Sequence, residues 1–170
     1  VADRPGTGAF ARAERHGVPT ALVAPADYAG PAAFGDALLR VLRAHGVTFV
    51  ALAGYLRKIP PAVVAAYRGR MTNVHPALLP AFGGAGMYGR RVHEAVLAYG
   101  AHWTGVTVHL VDEAYDTGPV VLQTPVPVAR RREDQHETQG RREHGKQEQE
   151  GQPQSQHLAA ALVIAGQLRG

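Results

Sequence analysis

Residues 1–128 predict an α/β protein built on an open, mostly parallel sheet with helices on both faces. Two observations carry this expectation. Short apolar runs alternate with stretches of helical periodicity along the whole segment. One run, residues 48–53, is nearly all apolar, the mark of a strand covered on both faces. Taken in order, residues 7–16 read as a helix stopped by Gly17, and residues 20–23 as a short strand. Residues 31–45 place Phe34, Leu38, Val41 and Leu42 near helical spacing, with Pro31 at the start and Gly46 just past the end. After the strand at 48–53 come a short helix over 61–67, a strand over 71–74 and a helix over 92–99 ended by Gly100. Two further strands flank residues 111–119. In open sheets of this kind ligands sit at the carboxyl ends of strands, and Asn73 and His75 fall at such an end.

Asn73-Val-His75-Pro76-Ala-Leu-Leu-Pro80 is the segment richest in chemistry. In an extended chain residues i and i+2 project to one face, so the Asn73 carboxamide and the His75 ring point together. Pro76 cannot continue a ladder, so His75 ends the strand and opens a loop. A neutral N–H donor beside an imidazole suits a reaction in which a carbonyl oxygen gains negative charge. A polar strand end capping its own turn is the plainer alternative. Further on, Val106, Val108 and Leu110 alternate with Thr107 and His109, the pattern of a strand with one polar face. Asp112, Glu113 and Asp116 follow, before the turn signal Gly118-Pro119 and a return strand over 120–123. Such a loop is either solvated and acidic or a carboxylate set against the neighbouring imidazole.

Together these segments resemble the phosphoribosylglycinamide formyltransferase family, whose signature reads Asn-x-His-Pro-(Ser/Ala)-Leu-Leu-Pro, then His-x-Ala-Leu, Gly-x-Thr-Val-His and Asp-x-Gly-Pro-(Ile/Val). The chain offers Asn73, His75, Pro76, Leu78, Leu79 and Pro80, then His93-Glu94-Ala95-Val96, Gly105-Val106-Thr107-Val108-His109 and Asp116-Thr117-Gly118-Pro119. Upstream, Leu52-Ala-Gly54-Tyr-Leu56-Arg57-Lys-Ile59 is similar to the family's Leu-Ala-Gly-Phe-Met-Arg segment. The likeness runs from the first residues to Val128, and its order and spacing make it specific where one short motif would not be. It implies a Rossmann-like formyltransferase domain over 1–128.

The resemblance also implies a reaction: transfer of a formyl group from 10-formyltetrahydrofolate to the amine of glycinamide ribonucleotide, in purine synthesis. Asn73, His75 and Asp116 would be catalytic. Asn73 and His75 would donate to the oxyanion, while Asp116 would hold His75 and accept the amine proton. Thr107, ordering a water, and His109 would support them. Leu56, Arg57, Ile59, Val111, Asp112 and Glu113 would bind the folate, and Gly54 and Pro76 the substrate. Related readings are a formyltetrahydrofolate deformylase, a methionyl-tRNA formyltransferase, or an inactive fragment of the fold. By the same resemblance the chain begins one strand and one helix into the family's fold, without the Gly-rich phosphate turn. The family's carboxy-terminal helix, with its Glu and His, has no counterpart here. Weak ribonucleotide binding and an uncovered sheet edge are the expected consequences.

Composition sets outer bounds. The absence of cysteine excludes a disulfide framework and a thiolate metal site. No His/Asp grouping has persuasive metal spacing, so no metal is expected. No apolar run reaches membrane-spanning length and no signal segment begins the chain, so a cytoplasmic protein is expected, with neither membrane nor nucleic-acid partners and with a homodimer as one possible assembly. The net charge of +4 is a modest excess that suits anionic ligands. Gly6-Thr-Gly8 is not read as a dinucleotide loop, because the stretch Val1–Pro5 before it is too short for the strand that motif requires. Gly83-Gly84-Ala-Gly86 reads as a pliable loop beside the substrate or as a plain connector, and Arg90-Arg91 as a phosphate attractor or an ordinary exposed pair. From 129 to 157 the chain turns polar, and 130–157 lacks any aliphatic or aromatic residue, so a disordered tail is expected there. Residues 158–170 read as a short apolar helix.

Overall fold

The computed structural model describes residues 1–129 and the strand at 161–163. The expected disorder of 130–157 lies outside the described residues. Helix α1 spans Gly8–Arg15, α2 Pro31–Ala44, α3 Pro61–Ala66 and α4 Arg90–Tyr99; strand β1 spans Val50–Ala53, β2 Met71–His75, β3 Trp103–Leu110, β4 Val120–Pro127 and β5 Ala161–Val163. A 3-10 turn occupies Pro25–Asp27. The strand expected at 20–23 is reduced to a single parallel bridge between Ala2 and Leu22.

Local sequence explains the elements that frame the site. Proline stands in the first turn of both α2 and α3, where its missing N–H has no intrahelical acceptor to lose. Phe34, Leu38 and Leu42 of α2 recur at four-residue intervals and are all buried. They join Val63 and Val64 of α3, Val50 and Leu52 of β1 and Met71 of β2 in one core cluster. Gly100, in the left-handed conformation at φ 73°, ends α4 as its composition suggests.

The sheet runs β4-β3-β2-β1-β5. It is an open Rossmann-like sheet flanked by helices, but it is mixed rather than mostly parallel. Among the described strands only β1 and β2 pair in parallel, through the α3 crossover; β2/β3, β3/β4 and β1/β5 are antiparallel. Residues 111–119 are too few for a crossover between β3 and β4, which takes about a dozen, so that pair must return antiparallel. At the other edge, Ala161–Val163 is a strand and not part of the expected helix, with Ala51 opposite Val163 and Ala53 opposite Ala161. The reason is visible in β1, whose second edge would otherwise leave backbone N–H and C=O groups unpaired. The rest of the segment 158–170 lies outside the described residues.

Register places the chemistry. Residues directly opposite one another share a sheet face. Leu52 lies opposite Asn73, Asn73 opposite His109, His75 opposite Thr107, and Thr107 opposite Gln123. One face therefore carries the apolar core at the amino ends of β1 and β2 and a polar group at the carboxyl end of β2. The β3/β4 register shifts between Val108 and His109, the kind of irregularity that re-aims a side chain beside a site.

Candidate active site

Asp116 is the point where the expected catalytic residues meet. Its Oδ2 lies 3.5 Å from His75 Nδ1, and its Oδ1 lies 3.4 Å from His109 Nε2. The Gly84 N–H donates to Oδ2 at 2.9 Å. The Asn73 amide nitrogen sits 3.2 Å from His109 Nε2. All of this is shielded: the side chains of His75 and His109 are 4% exposed and that of Asp116 is 10% exposed. Asp116 takes a left-handed backbone at φ 56°, a conformation that Asp tolerates better than most residues. So Asn73, His75 and Asp116 do come together, and His109 is drawn in more closely than its supporting role implied.

The ring nitrogens of His75 are both engaged. Nε2 is 2.8 Å from the Phe82 carbonyl, to which it donates, and Nδ1 faces Asp116. A free imidazole N–H toward an oxyanion is thus not presented in this arrangement. His109 donates from Nδ1 to the Leu110 carbonyl at 2.9 Å. In the neutral ring Nε2 then accepts from the Asn73 amide. In the protonated ring Nε2 donates to Asp116, and the Asn73 N–H is released for another acceptor.

Electrostatics shifts the balance toward the second state. Burial alone would lower the His109 pKa, but the Asp116 carboxylate, the Leu110 carbonyl and the charge of Asp112 outweigh it and raise it above 6.5. Burial likewise would raise Asp116, but His109, the Gly84 N–H and the charge of His75 hold it below 3.8. The consequence for stability has a definite sign. His109 contributes stability that is fully present below 6.5 and is lost as pH rises through its raised value. Asp116 contributes stability that is present above 3.8 and is lost as pH falls through its lowered value. Denaturant midpoints measured across pH should therefore be highest between these limits, and His109→Asn should flatten the alkaline side. An unchanged alkaline decline in that variant would contradict the assignment.

Thr107 does not order a reaction water. Its hydroxyl is fully buried, donates to the Ala77 carbonyl at 2.6 Å, and accepts from the Leu79 N–H and Gln123 Nε2, each at 3.0 Å. One donor and two acceptor sites are then spent. Gln123 Nε2 also donates to the Leu79 carbonyl at 2.8 Å. Thr107 and Gln123 thus fasten the segment after His75 to the sheet. Thr107→Val keeps the shape and strands buried backbone groups, at about 1–3 kcal/mol per unpaired group. Thermal unfolding should register that loss, and an unchanged melting point would refute the role.

A cavity of about 1500 Å³ opens onto this polar group. Leu56, Arg57, Ile59, Val111 and Asp112 line it, as do Gly54 and Pro76. Glu113 does not; it reaches the exposed Arg68 at 3.4 Å instead. Asp112 is at the wall, but its carboxylate accepts from the Ala114 N–H at 3.1 Å and from Thr117 Oγ1 at 2.8 Å, so it shapes the loop. Arg90, Arg91 and His93 are not among the lining residues: Arg90 pairs with Glu94 at 2.7 Å and Arg91 stacks on Tyr88. Sequence reasoning missed Phe82 and Gln123. Gln123 carried a signal, being a polar residue that closes the apolar run Val120-Val-Leu, with Thr107 opposite it; the Phe82 carbonyl carried none.

The sequence model of the family described as Formyl transferase matches residues 1–155. The chain belongs to the formyl transferase family. Within that family it is 51% identical over 110 residues to the chloroplastic phosphoribosylglycinamide formyltransferase of Arabidopsis thaliana, covering 65% of this chain and 36% of that protein. It is 38% identical over 138 residues to the phosphoribosylglycinamide formyltransferase of Bacillus subtilis, covering 81% of this chain and 66% of that protein. The crystal structure of glycinamide ribonucleotide transformylase 1 from Geobacillus kaustophilus superposes with a TM-score of 0.68 at 44% identity, over 75% of this chain and 65% of that one. The chain thus spans less than two thirds of the length of these relatives. Among the described residues, no group of three or more His, Asp or Glu is placed to hold a metal ion. Nor is any described helix long and apolar enough to cross a membrane.

Proposed function

We propose that the domain transfers a formyl group from 10-formyltetrahydrofolate to the amine of glycinamide ribonucleotide, as the names of its relatives suggest for them. The observation that carries the reading is the buried convergence of His75 and His109 on Asp116, with the Asn73 amide against His109, beside a large cavity. The amine attacks the formyl carbon, a new C–N bond forms, and negative charge collects on the formyl oxygen. The Asn73 N–H, released when His109 is protonated, donates to that oxygen. Asp116, held as the carboxylate, accepts the amine proton directly or through water, and the proton passes to the folate nitrogen as its bond to the formyl carbon breaks. His75 is held by Asp116 and joins the oxyanion site only when the Phe82 carbonyl gives up Nε2.

The folate lies along Leu56, Arg57, Ile59 and Val111, and the ribonucleotide beside Gly54 and Pro76. A volume of about 300–1000 Å³ serves one small ligand, so the cavity has room for two. In this reading the protein works in the cytoplasm on small molecules, with no metal. Incubation of the purified chain with both substrates should yield formylglycinamide ribonucleotide. Formate without that product would indicate hydrolysis instead, and absence of both would reject catalysis by this chain.

A further inference from the structure

We infer that Asp3 is a positioning residue for Arg57, holding its guanidinium by one nitrogen so that the other two stay available to a ligand in the cavity. Arg57 lines the large cavity and its side chain is 64% exposed, whereas the Asp3 side chain is 10% exposed and is not part of that lining. The contact runs from Arg57 Nε to Asp3 Oδ2 at 3.3 Å, and joins residues 54 positions apart. It ties the segment following the Ala2 bridge to the loop after β1. Arg57 Nη1 and Nη2 have no hydrogen bond among the described residues that competes with a ligand.

Asp3 Oδ1 and the Tyr55 hydroxyl are buried without partners, and both residues line a second small cavity. Burial, then the charge of Asp3, pushes the Tyr55 pKa up to about 12, so the phenol remains a neutral donor. An ion pair with one exposed member adds little to fold stability. Its effect falls instead on preorganisation. An unrestrained arginine loses rotamer freedom when it binds, and Asp3 removes part of that loss beforehand. The ligand class is one that offers carbonyl or carboxylate oxygens to a planar fork. In the reading proposed above, on which this assignment of the ligand rests, that is the folate.

The test combines two measurements on the full chain. The first is the ¹⁵Nε–Hε NMR signal of Arg57 without ligand. It should be protected and ordered in the parent protein and averaged in Asp3→Asn. A freely averaging signal in the parent overturns the inference, whatever the ligand. The second is calorimetric titration with 5-formyltetrahydrofolate. Asp3→Asn should weaken binding about five- to tenfold, with the melting point within about 2 °C of the parent. Asp3→Glu should restore part of it, and Arg57→Met should abolish the effect of Asp3→Asn. Equal binding by parent and Asp3→Asn, or additive losses in the double variant, overturns the inference. A parent that binds no folate while its Arg57 signal behaves as expected rejects the proposed substrate and leaves the positioning role standing.

Discussion

Asp116→Asn should reduce turnover about a thousandfold in a chain that carries the activity, within the range of general acid–base contributions, with little change in the affinity for folate. The substituted amide keeps an oxygen for the Gly84 N–H but loses the charge that both imidazoles face at 3.4–3.5 Å. It then neither accepts the amine proton nor favours the protonated His109 that frees Asn73. In the proposed reaction these residues act on one transition state, so Asn73→Ala, His75→Ala and Asp116→Asn should be far from additive when combined. Steady-state kinetics of the single and double variants decides the matter. Near-parental turnover in Asp116→Asn would remove it from the reaction.

Gly118→Ala should be the most destabilising small substitution near the site. A Cβ at this position would run into the Leu110 carbonyl, a backbone group that cannot swing aside like a side chain. Leu110 is fixed in turn: its N–H donates to the Pro119 carbonyl at 2.8 Å and its carbonyl receives the His109 ring. Relief requires the β3–β4 corner to open, which shifts Asp116 two residues earlier. A loss of about 3 kcal/mol, at the upper end of ordinary substitutions, is expected in chemical denaturation, together with loss of activity. A variant that folds with parental stability would show that the corner yields more easily than its bonds suggest.

Much of this arrangement was legible in the sequence. Pro31, the buried spacing of Phe34, Leu38 and Leu42, and Gly46 together bounded α2, because capping and periodicity are local properties of the chain. The pairing of Asn73 with His75 on one face followed from the two-residue repeat of a strand. Strand direction was not legible in the same way. An apolar run such as 48–53 reports that both faces are covered but not which way its neighbours run; only the shortness of 111–119 forced β3 and β4 antiparallel. The role of Thr107 was misread because a hydroxyl in a motif says nothing about which backbone groups surround it. The pairing of β1 with Ala161–Val163 depends on an edge whose demand is set by tertiary structure, while the segment's own composition suggested helix. Phe82 was invisible for a simpler reason: its contribution is a carbonyl, which every residue has.

That carbonyl has a thermodynamic consequence. The turn at residues 82–84 accepts from His75 through Phe82 and donates to Asp116 through Gly84, so both members of the His75–Asp116 contact are bonded to the same short piece of backbone. Phe82 sits at φ 56° and Gly84 at φ 96°, so the turn is held in a conformation that L-residues rarely favour. A ligand group competing for either partner must first populate the open turn. Two hydrogen bonds of about 0.5–1.5 kcal/mol net each oppose that opening. Observed affinity is then the intrinsic affinity scaled by the open fraction. Substrates would be selected partly by how well they stabilise this minority state, and any change that eases the turn would tighten binding without touching a single group in contact with the ligand.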